Sequence, residues 1–363
     1  MIYNIEEILV NASNKVLNFE ALGGVSSGHN GPYFDHETPV RNTAHWLITF
    51  SCLYKRTKDT RYKEAAYKAI SYLKSSAARP MNASFYCRTK PEKDFCNGLM
   101  GQAWAIESLL YAYEIFRDDS LYSLAEEVYL LHDFDFARSI WFRLGVDGSR
   151  LSHDETFNHQ LWFCAVGSML TKTPEALERS DLFFENIAVN PSLYSSGVLF
   201  HHSSIYKFSN EIKLGIKPFI DNVYRVLVGL KNRKQLYSKS VGYHGFNLYA
   251  YELLKARHGK NEFFKSKTYM SMLNAVLKPT FSKALLNSKY SYPYNPPGFE
   301  IGFALLNNGH DLSVIKRFLE GHFEITSSPD GYNVAVSHDI LTSEARLYEL
   351  VRILDIKEIK IEL

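Results

Sequence analysis

The sequence predicts an all-α fold in which paired helices close into a ring, an (α/α)6 toroid, and three observations predict it. Apolar residues recur at helical spacing in about twelve segments, at a repeat of roughly 40–60 residues. The segments alternate in kind. One is apolar nearly all round and must be buried on every side, and the next is amphipathic and faces water on one side. The last helical segment has no partner after it and the first has none before it. An open solenoid would need polar capping faces at both ends, so mutual completion of the two ends favours closure.

Taken in order, an amphipathic helix near Ile5–Phe19 stands alone. The first pair begins with Arg41–Tyr54, breaks at KRTKDT and continues as RYKEAAYKAISYLKSS. The second begins with Leu99–Phe116, breaks at RDD and continues as SLYSLAEEVYLLHDF. Glu155–Leu170 opens the third, ahead of a TKTP break and EALERSDLFFENIA. Tyr243–Ala256 opens the fourth, ahead of RHGKN and EFFKSKTYMSMLNAVL. Gly298–Leu306 opens the fifth, ahead of NNGHD and LSVIKRFLEGHF. Leu341–Leu354 is the sixth inner helix, and the N-terminal helix is its partner. The interval from about Asn190 to Val241 is too long for one turn. It predicts an inserted excursion, with short strands around Asn190–Tyr206 and one extra helix through DNVYRVLVGLKN. Elsewhere the chain should be almost entirely helical.

Composition bounds the function. With no Pro/Gly/Ser-rich linker or low-complexity tract, residues 1–363 read as one domain. Lys plus Arg number 41 against 39 Asp plus Glu, a balance that argues against an electrostatic footprint for nucleic acid or an anionic membrane. Cys52, Cys87, Cys96 and Cys164 show no metal-ligand rhythm and read as reduced thiols. No metal or other cofactor is expected. The N-terminus lacks a basic region ahead of an uninterrupted apolar core, and no apolar run reaches the roughly 20 residues of a membrane span. A cytoplasmic protein is expected. The 24 Tyr and 24 Phe serve either as core filling or as faces on which a polar ligand stacks.

The chemistry should then lie where polar residues open the inner helices. LSHDETFNHQLWF places Asn158 and His159 side by side, with Trp162 one turn on and Asp154 and Glu155 just before. VGYHGFNLYAYELL opens with Tyr243 and His244, and Asn247 follows on the same face. GPYFDHETPVRNTAHW supplies Asp35, Glu37 and Arg41, either as ligand contacts or as a Glu37–Arg41 ion pair across one turn. FCNGLMGQAW offers Asn97 and Gln102, and YNPPGFEIGFALL offers Glu300. Each also has a structural reading, as a helix cap or a satisfied core polar group.

As a whole the pattern resembles the six-hairpin glycosidase-like superfamily. That superfamily includes N-acylglucosamine and cellobiose 2-epimerases, unsaturated glucuronyl hydrolases and the toroidal alginate and heparin lyases. The resemblance implies parallel inner helices with a sugar bound at their N-terminal mouths, where converging helix dipoles favour an anionic ligand. Asn158-His159-x-x-Trp162 resembles the catalytic helix of toroidal alginate lyases. This implies that Asn158 neutralises a uronate carboxylate and His159 removes the neighbouring proton. Tyr243 stands where those lyases place an acid–base tyrosine. The string is also similar to the His-x-x-Glu of cellobiose 2-epimerases, with His244 in place but Asn247 where an acid belongs. Arg41 resembles the substrate-side arginine of the 2-epimerases. Phe299 stands where their Pro-Gly-His-x-x-Glu string has its histidine. Asp154 and Asn158 match the Asp-x-x-x-Asn of the glucuronyl hydrolases, but the second carboxylate of those enzymes is missing.

The expectation is an enzyme acting on a sugar or oligosaccharide, uronate-bearing, by proton abstraction at carbon, with β-elimination or epimerisation as the outcome. His159, Tyr243, Asn158 and His244 are its expected catalytic groups. The substrate-binding set is Arg41, Glu37, Asn97, Gln102, Asp154, Glu155, Trp162, Asn247 and Glu300. A glycoside hydrolase using two carboxylates among Asp35, Glu37, Asp154, Glu155 and Glu300 is the alternative. A glycan- or protein-binding scaffold is the non-enzymatic one.

Overall fold

The computed structural model describes residues 2–201, 205–292, 294–328, 333–354 and 360–362. Helix α1 (Ile5–Asn14) lies on the outside, and its start is fixed by a capping box between Asn4 and Glu7. The next three hairpins are α2 (Val40–Thr57) with α3 (Thr60–Leu73), α4 (Gly98–Phe116) with α5 (Asp119–Leu130), and α6 (Phe157–Met169) with α7 (Pro174–Phe183). Three helices follow, α8 (Phe208–Leu214), α9 (Ile216–Lys231) and α10 (Arg233–Gly242). Then come α11 (His244–His258), α12 (Lys267–Val276), α13 (Pro279–Leu286), α14 (Pro297–Asn307), α15 (Leu312–Thr326) and α16 (Ile340–Ala345). The last helix tightens into 3-10 turns over Arg346–Ile353.

The inner ring closes as the apolar-all-round pattern requires. Helix α2 packs on α4, α4 on α6, α6 on α11, α11 on α14, α14 on the 346–353 turns, and those turns return to α2. Leu99–Leu110 of α4 and Leu161–Ser168 of α6 are buried without interruption, whereas α3 buries only one stripe through Tyr62, Ala66, Ala69 and Leu73. A strand β1 (Ile2–Asn4) pairs antiparallel with β5 (Lys360–Glu362) and clasps the two ends of the chain. Inside the ring Glu107 of α4 accepts from Arg352 at 2.8 Å, so even the buried acid on this helix is paired.

The two faces of the ring differ in their loops. Two residues join α2 to α3 and α4 to α5, whereas 24 residues (74–97) lead from α3 into α4 and 26 (131–156) from α5 into α6. The long connections gather where the inner helices begin.

Several local expectations are corrected. A three-stranded antiparallel sheet, β2 (Phe134–Asp135), β3 (Ile140–Leu144) and β4 (Arg150–His153), stands ahead of α6 where no strand was expected. Asp147-Gly148 turns its β3–β4 hairpin, with Gly148 at φ 83°, a conformation glycine adopts freely. The Asn190–Tyr206 stretch holds only an isolated bridge, Leu193 with Leu199, among the described residues, and 202–204 of that stretch lie outside them. The insertion carries three helices rather than one. Ser266 caps α12 through the Tyr269 N–H, splitting the expected Glu262–Leu277 helix into a 3-10 turn and α12. No described helix is long and apolar enough to cross a membrane.

Candidate active site

A cavity of about 170 Å³ opens where the inner helices begin. Arg41 reaches it from the start of α2, Asn97 from the residue before α4, and Asn158 and His159 from the first turn of α6. Tyr243 precedes α11, Asn295 precedes α14, and Arg346 follows α16. Five helix beginnings therefore converge, and their dipoles add to a positive field.

The sharpest arrangement in the cavity is His159 with Asp154. His159 Nδ1 lies 2.8 Å from Asp154 Oδ2. Asp154 also accepts from the Leu99 N–H at 3.0 Å and the Thr156 N–H at 3.1 Å. Burial alone would raise the Asp154 carboxyl. His159 and the hydrogen bonds outweigh it, so Asp154 titrates below its ordinary value and is a carboxylate. A carboxylate here fixes the proton on Nδ1 and leaves Nε2 as the basic nitrogen. Gly98 (φ 58°) makes the approach possible, because a Cβ there would stand 2.3 Å from Asp154 Oδ2. Asn158 is 2% exposed, and its Oδ1 has no hydrogen-bond partner among the described residues.

Tyr243 lies in a nest of rings. Its hydroxyl is 3.0 Å from that of Tyr33, and its ring stacks on His201 at 4.6 Å. Burial, with Tyr294 and Tyr33 beside it, pushes its phenol well above the ordinary range, so it holds its proton.

The remaining walls are cationic. Arg41 is 2% exposed; its Nη1 donates to Asn30 at 3.2 Å and to Glu37 at 3.3 Å, and Trp104 lies 4.1 Å beneath its plane. Its Nε and Nη2 have no partner among the described residues. Arg88, Lys93, Lys239 and Arg346 also line the cavity, against one carboxylate among the described residues, Asp35. Asp35 is held by Lys90 at 2.9 Å, by Lys93 and by Arg88 at 3.6 Å. Burial raises its carboxyl, but the two lysines outweigh this and it titrates low. Lys239, among the rings of Tyr33, Tyr243 and Tyr290, is pushed down to about 8 by burial and by Lys93 and Lys289.

Five expected residues thus meet in the cavity, Arg41, Asn97, Asn158, His159 and Tyr243, and Asp154 stands directly behind His159. The others do not reach it. His244 is fully buried, its Nδ1 accepting from the Leu199 N–H at 3.1 Å and its Nε2 lying 3.0 Å from the Met272 carbonyl. It ties the insertion to α12 and has no nitrogen left for a sugar. Gln102 bridges the Phe85 N–H and carbonyl and the Cys96 carbonyl, shaping the loop that carries Arg88. Trp162 stacks on Phe246 at 4.7 Å and donates to the Phe246 carbonyl, so it supports a cavity wall from the core. Asn247 donates back to the Tyr243 carbonyl at 2.8 Å inside the helix. Glu37 stands behind Arg41. Glu300 is fully buried and accepts from Arg346 at 2.6 Å. Glu155 turns to Tyr206 and Arg225 in a neighbouring groove.

Reading helix starts alone missed the residues the long loops deliver. Asn30 and Tyr33 come from the loop before α2, Arg88 and Lys93 from that before α4, and Tyr294 from that before α14. Asp339 holds the first of these loops, accepting from the His29 N–H at 2.7 Å. Among the described residues no group of three or more His, Cys, Asp or Glu is placed to hold a metal ion.

No family model matches the chain. It is 34% identical over 364 residues to archaeal glycosylation protein Q of Haloferax volcanii, an alignment covering 97% of this chain and 98% of that one. Among solved structures it resembles cellobiose 2-epimerase from Bacillus thermoamylovorans B4167, with TM-score 0.66, 13% identity and coverage of 95% of this chain and 98% of that one. It also resembles a D-mannose isomerase, with TM-score 0.64, 14% identity and coverage of 96% and 97%. An inactive variant of the α-1,6-mannanase GH76A of Salegentibacter sp. HEL1_6, in complex with α-1,6-mannotriose, follows with TM-score 0.58, 12% identity and coverage of 97% and 99%. At these identities the likeness is one of fold, the (α/α)6 toroid.

Proposed function

The chain belongs to the family of archaeal glycosylation protein Q, and from that premise we propose that it is a carbohydrate-active enzyme that epimerises or isomerises an anionic, uronate-bearing sugar by moving a proton at carbon. The single observation that carries this reading is the Asp154–His159 pair inside a cavity walled by Arg41, Arg88, Lys93, Lys239 and Arg346. A proton on the carbon beside a carboxylate becomes removable only when donors already stand where negative charge develops. Arg41, with two guanidinium nitrogens that have no partner among the described residues, suits a bidentate contact to that carboxylate. His159, aligned by Asp154, takes the proton at Nε2. Tyr243, neutral and buried, is the donor that returns a proton. Asn158 stabilises the charge in between.

Paired-carboxylate hydrolysis is disfavoured. It needs two acids about 5–10 Å apart in the cleft, and the one carboxylate among the described residues that line this cavity is neutralised by Lys90 and Lys93. β-Elimination shares the same first step and destroys the sugar. A relative named for glycosylation favours the outcome that keeps it.

The test is incubation in deuterium oxide with a panel of free and oligomeric uronates, followed by proton NMR. Deuterium incorporated without chain cleavage supports epimerisation or isomerisation, and an unsaturated, ultraviolet-absorbing product means elimination instead. No exchange with any uronate, alongside release of reducing ends, would sink the proton-abstraction reading.

A further inference from the structure

The whole-chain charge balance conceals a local excess. Between Lys207 and Lys239 stand eight basic and two acidic residues, +6 in a chain whose net charge is +2, so the rest of the chain carries −4. This is the segment of α8, α9 and α10. Of its two acids, Glu211 is buried and turned to Arg138 at 2.9 Å. Lys213, Lys217, Lys231, Arg233 and Lys234 are exposed, and none forms an ion pair with a described residue.

The same hairpin exposes apolar side chains. Ile216 (79% exposed), Ile220, Tyr224 (68%) and Leu227 recur on one face of α9, at the spacing of a helix stripe. Ile212 (61%) and Leu214 of the neighbouring α8 are exposed as well. The opposite face of α9 already holds the helix to the body, through Asn222, which is fully buried and donates to the Tyr206 carbonyl at 3.3 Å. The exposed stripe is therefore a second apolar face, and Lys217 and Lys231 stand along it rather than opposite to it.

Two kinds of partner could cover such a face. The cores of protein interfaces are enriched in aromatic residues, Met and Arg and depleted in Lys. Branched aliphatic side chains with lysines beside them instead fit the headgroup region of a bilayer. There the apolar groups sink, and the lysine stems follow while their ammonium groups meet phosphates. We propose that the α8–α9 hairpin docks the protein on an anionic membrane surface, with Ile212, Ile216, Ile220 and Leu227 inserted and Lys213, Lys217 and Lys231 on the headgroups. Tyr224 and Val228 also wall a groove of about 360 Å³ that shares Lys239 with the candidate active site.

The test needs no sugar, so its outcome is separate from that of the proposed reaction. The full chain is floated with phosphatidylcholine vesicles and with vesicles containing about one-third phosphatidylglycerol, at low and high salt. Binding to the anionic vesicles at low salt, reduced about tenfold or more on neutral vesicles or at high salt, is expected. The Ile216→Ser/Ile220→Ser/Leu227→Ser variant and the Lys213→Glu/Lys217→Glu/Lys231→Glu variant should each lose it, with unchanged circular dichroism. Absence of parent binding, or binding undiminished in the charge-reversal variant, overturns the proposal. So does a parent dimer that the serine variant converts to monomer while neither binds vesicles, because the face is then an interface between two copies.

Discussion

His159 and Asp154 are joined by a 2.8 Å contact from the ring Nδ1 to a carboxylate oxygen that also receives the Leu99 N–H. Asp154 thus anchors the start of α4 and the orientation of the His159 ring on α6 with one atom. Asp154→Asn keeps the shape but can present an amide N–H where the ring N–H points, which favours the wrong tautomer. We expect a fall in turnover of about 100-fold or more, near the scale of a lost acid or base and approaching that of an orienting carboxylate in a triad. Sugar affinity should change little. Steady-state kinetics on whichever sugar shows exchange with the parent checks it, and a kcat within threefold of the parent would remove Asp154 from the machinery.

His159→Ala, Tyr243→Phe and Asn158→Ala test the proton path directly. The first two should each lower turnover by about 100-fold or more. Asn158→Ala should cost roughly 3 kcal/mol of barrier through a lost charge-stabilising contact. Their stabilities should differ. The His159 side chain is 25% exposed and its loss should be nearly silent in thermal unfolding. Tyr243 is 7% exposed and shares a 3.0 Å hydrogen bond with Tyr33, so losing its hydroxyl should cost about 1 kcal/mol. A Tyr243→Phe enzyme with full turnover would place the proton donor elsewhere.

The places of these residues in the fold also show what the sequence made legible. The six inner helices could be read because burial on all sides leaves an unmistakable mark: α4 runs from Gly98 to Phe116, and apolar patterning placed it at Leu99–Phe116. Residues on the first turn of such helices, Arg41, Asn158 and His159, could be placed at the cavity for the same reason. His244 and Glu300 were misplaced by one structural fact. A polar residue at a helix start can face inward to a neighbouring backbone or ion pair as easily as to the cavity, and helical periodicity does not say which. Lys239 and Arg346 escaped notice because what marks them, aromatic rings around an amine and two buried carboxylates around a guanidinium, joins residues far apart in the chain. The β3–β4 hairpin did leave a signal, Asp147-Gly148 between apolar runs, which the helical rhythm around it masked.

Arg346 is 2% exposed and gives 2.6 Å hydrogen bonds to Glu300 and Glu349 and another to Asn295. Burial and the Glu349 charge push the Glu300 carboxyl up, burial and the Glu107 charge push that of Glu349 up, and Arg346 counters both. Replacing it with Met leaves two buried acids without their cation. Arg346→Met should cost about 3–5 kcal/mol in chemical denaturation. Adding Glu300→Gln to that variant should recover part of the loss, because one of the orphaned charges is gone. Strictly additive losses in the double variant would mean the three groups do not act as one network.

Glu37 sets how strongly Arg41 attracts an anion, and this gives a pH dependence with a definite sign. Burial and Asp339 push the Glu37 carboxyl up, Arg41 pulls it down, and the balance leaves it at about 7, above the ordinary 4.5. Below pH 7 Glu37 is neutral, and the Arg41 charge is free for a ligand. Above it the carboxylate competes at 3.3 Å. Affinity for D-glucuronate as a probe, followed by calorimetry, should weaken about tenfold as pH rises from about 6 to about 8, the effect of roughly one unit of coupling. Protons should be taken up on binding near neutrality. Glu37→Gln should flatten that profile. Stability follows the same linkage: between pH 4.5 and about 7 the folded state binds more protons than the unfolded one, so parent stability falls as pH rises through that window. The Gln variant should lack that fall and gain on the parent above pH 7. Lys239, pushed down to about 8, weakens anion binding in the same direction at higher pH, and Lys239→Gln separates its share. An identical affinity profile in parent and Glu37→Gln would mean that Arg41 does not hold the anion.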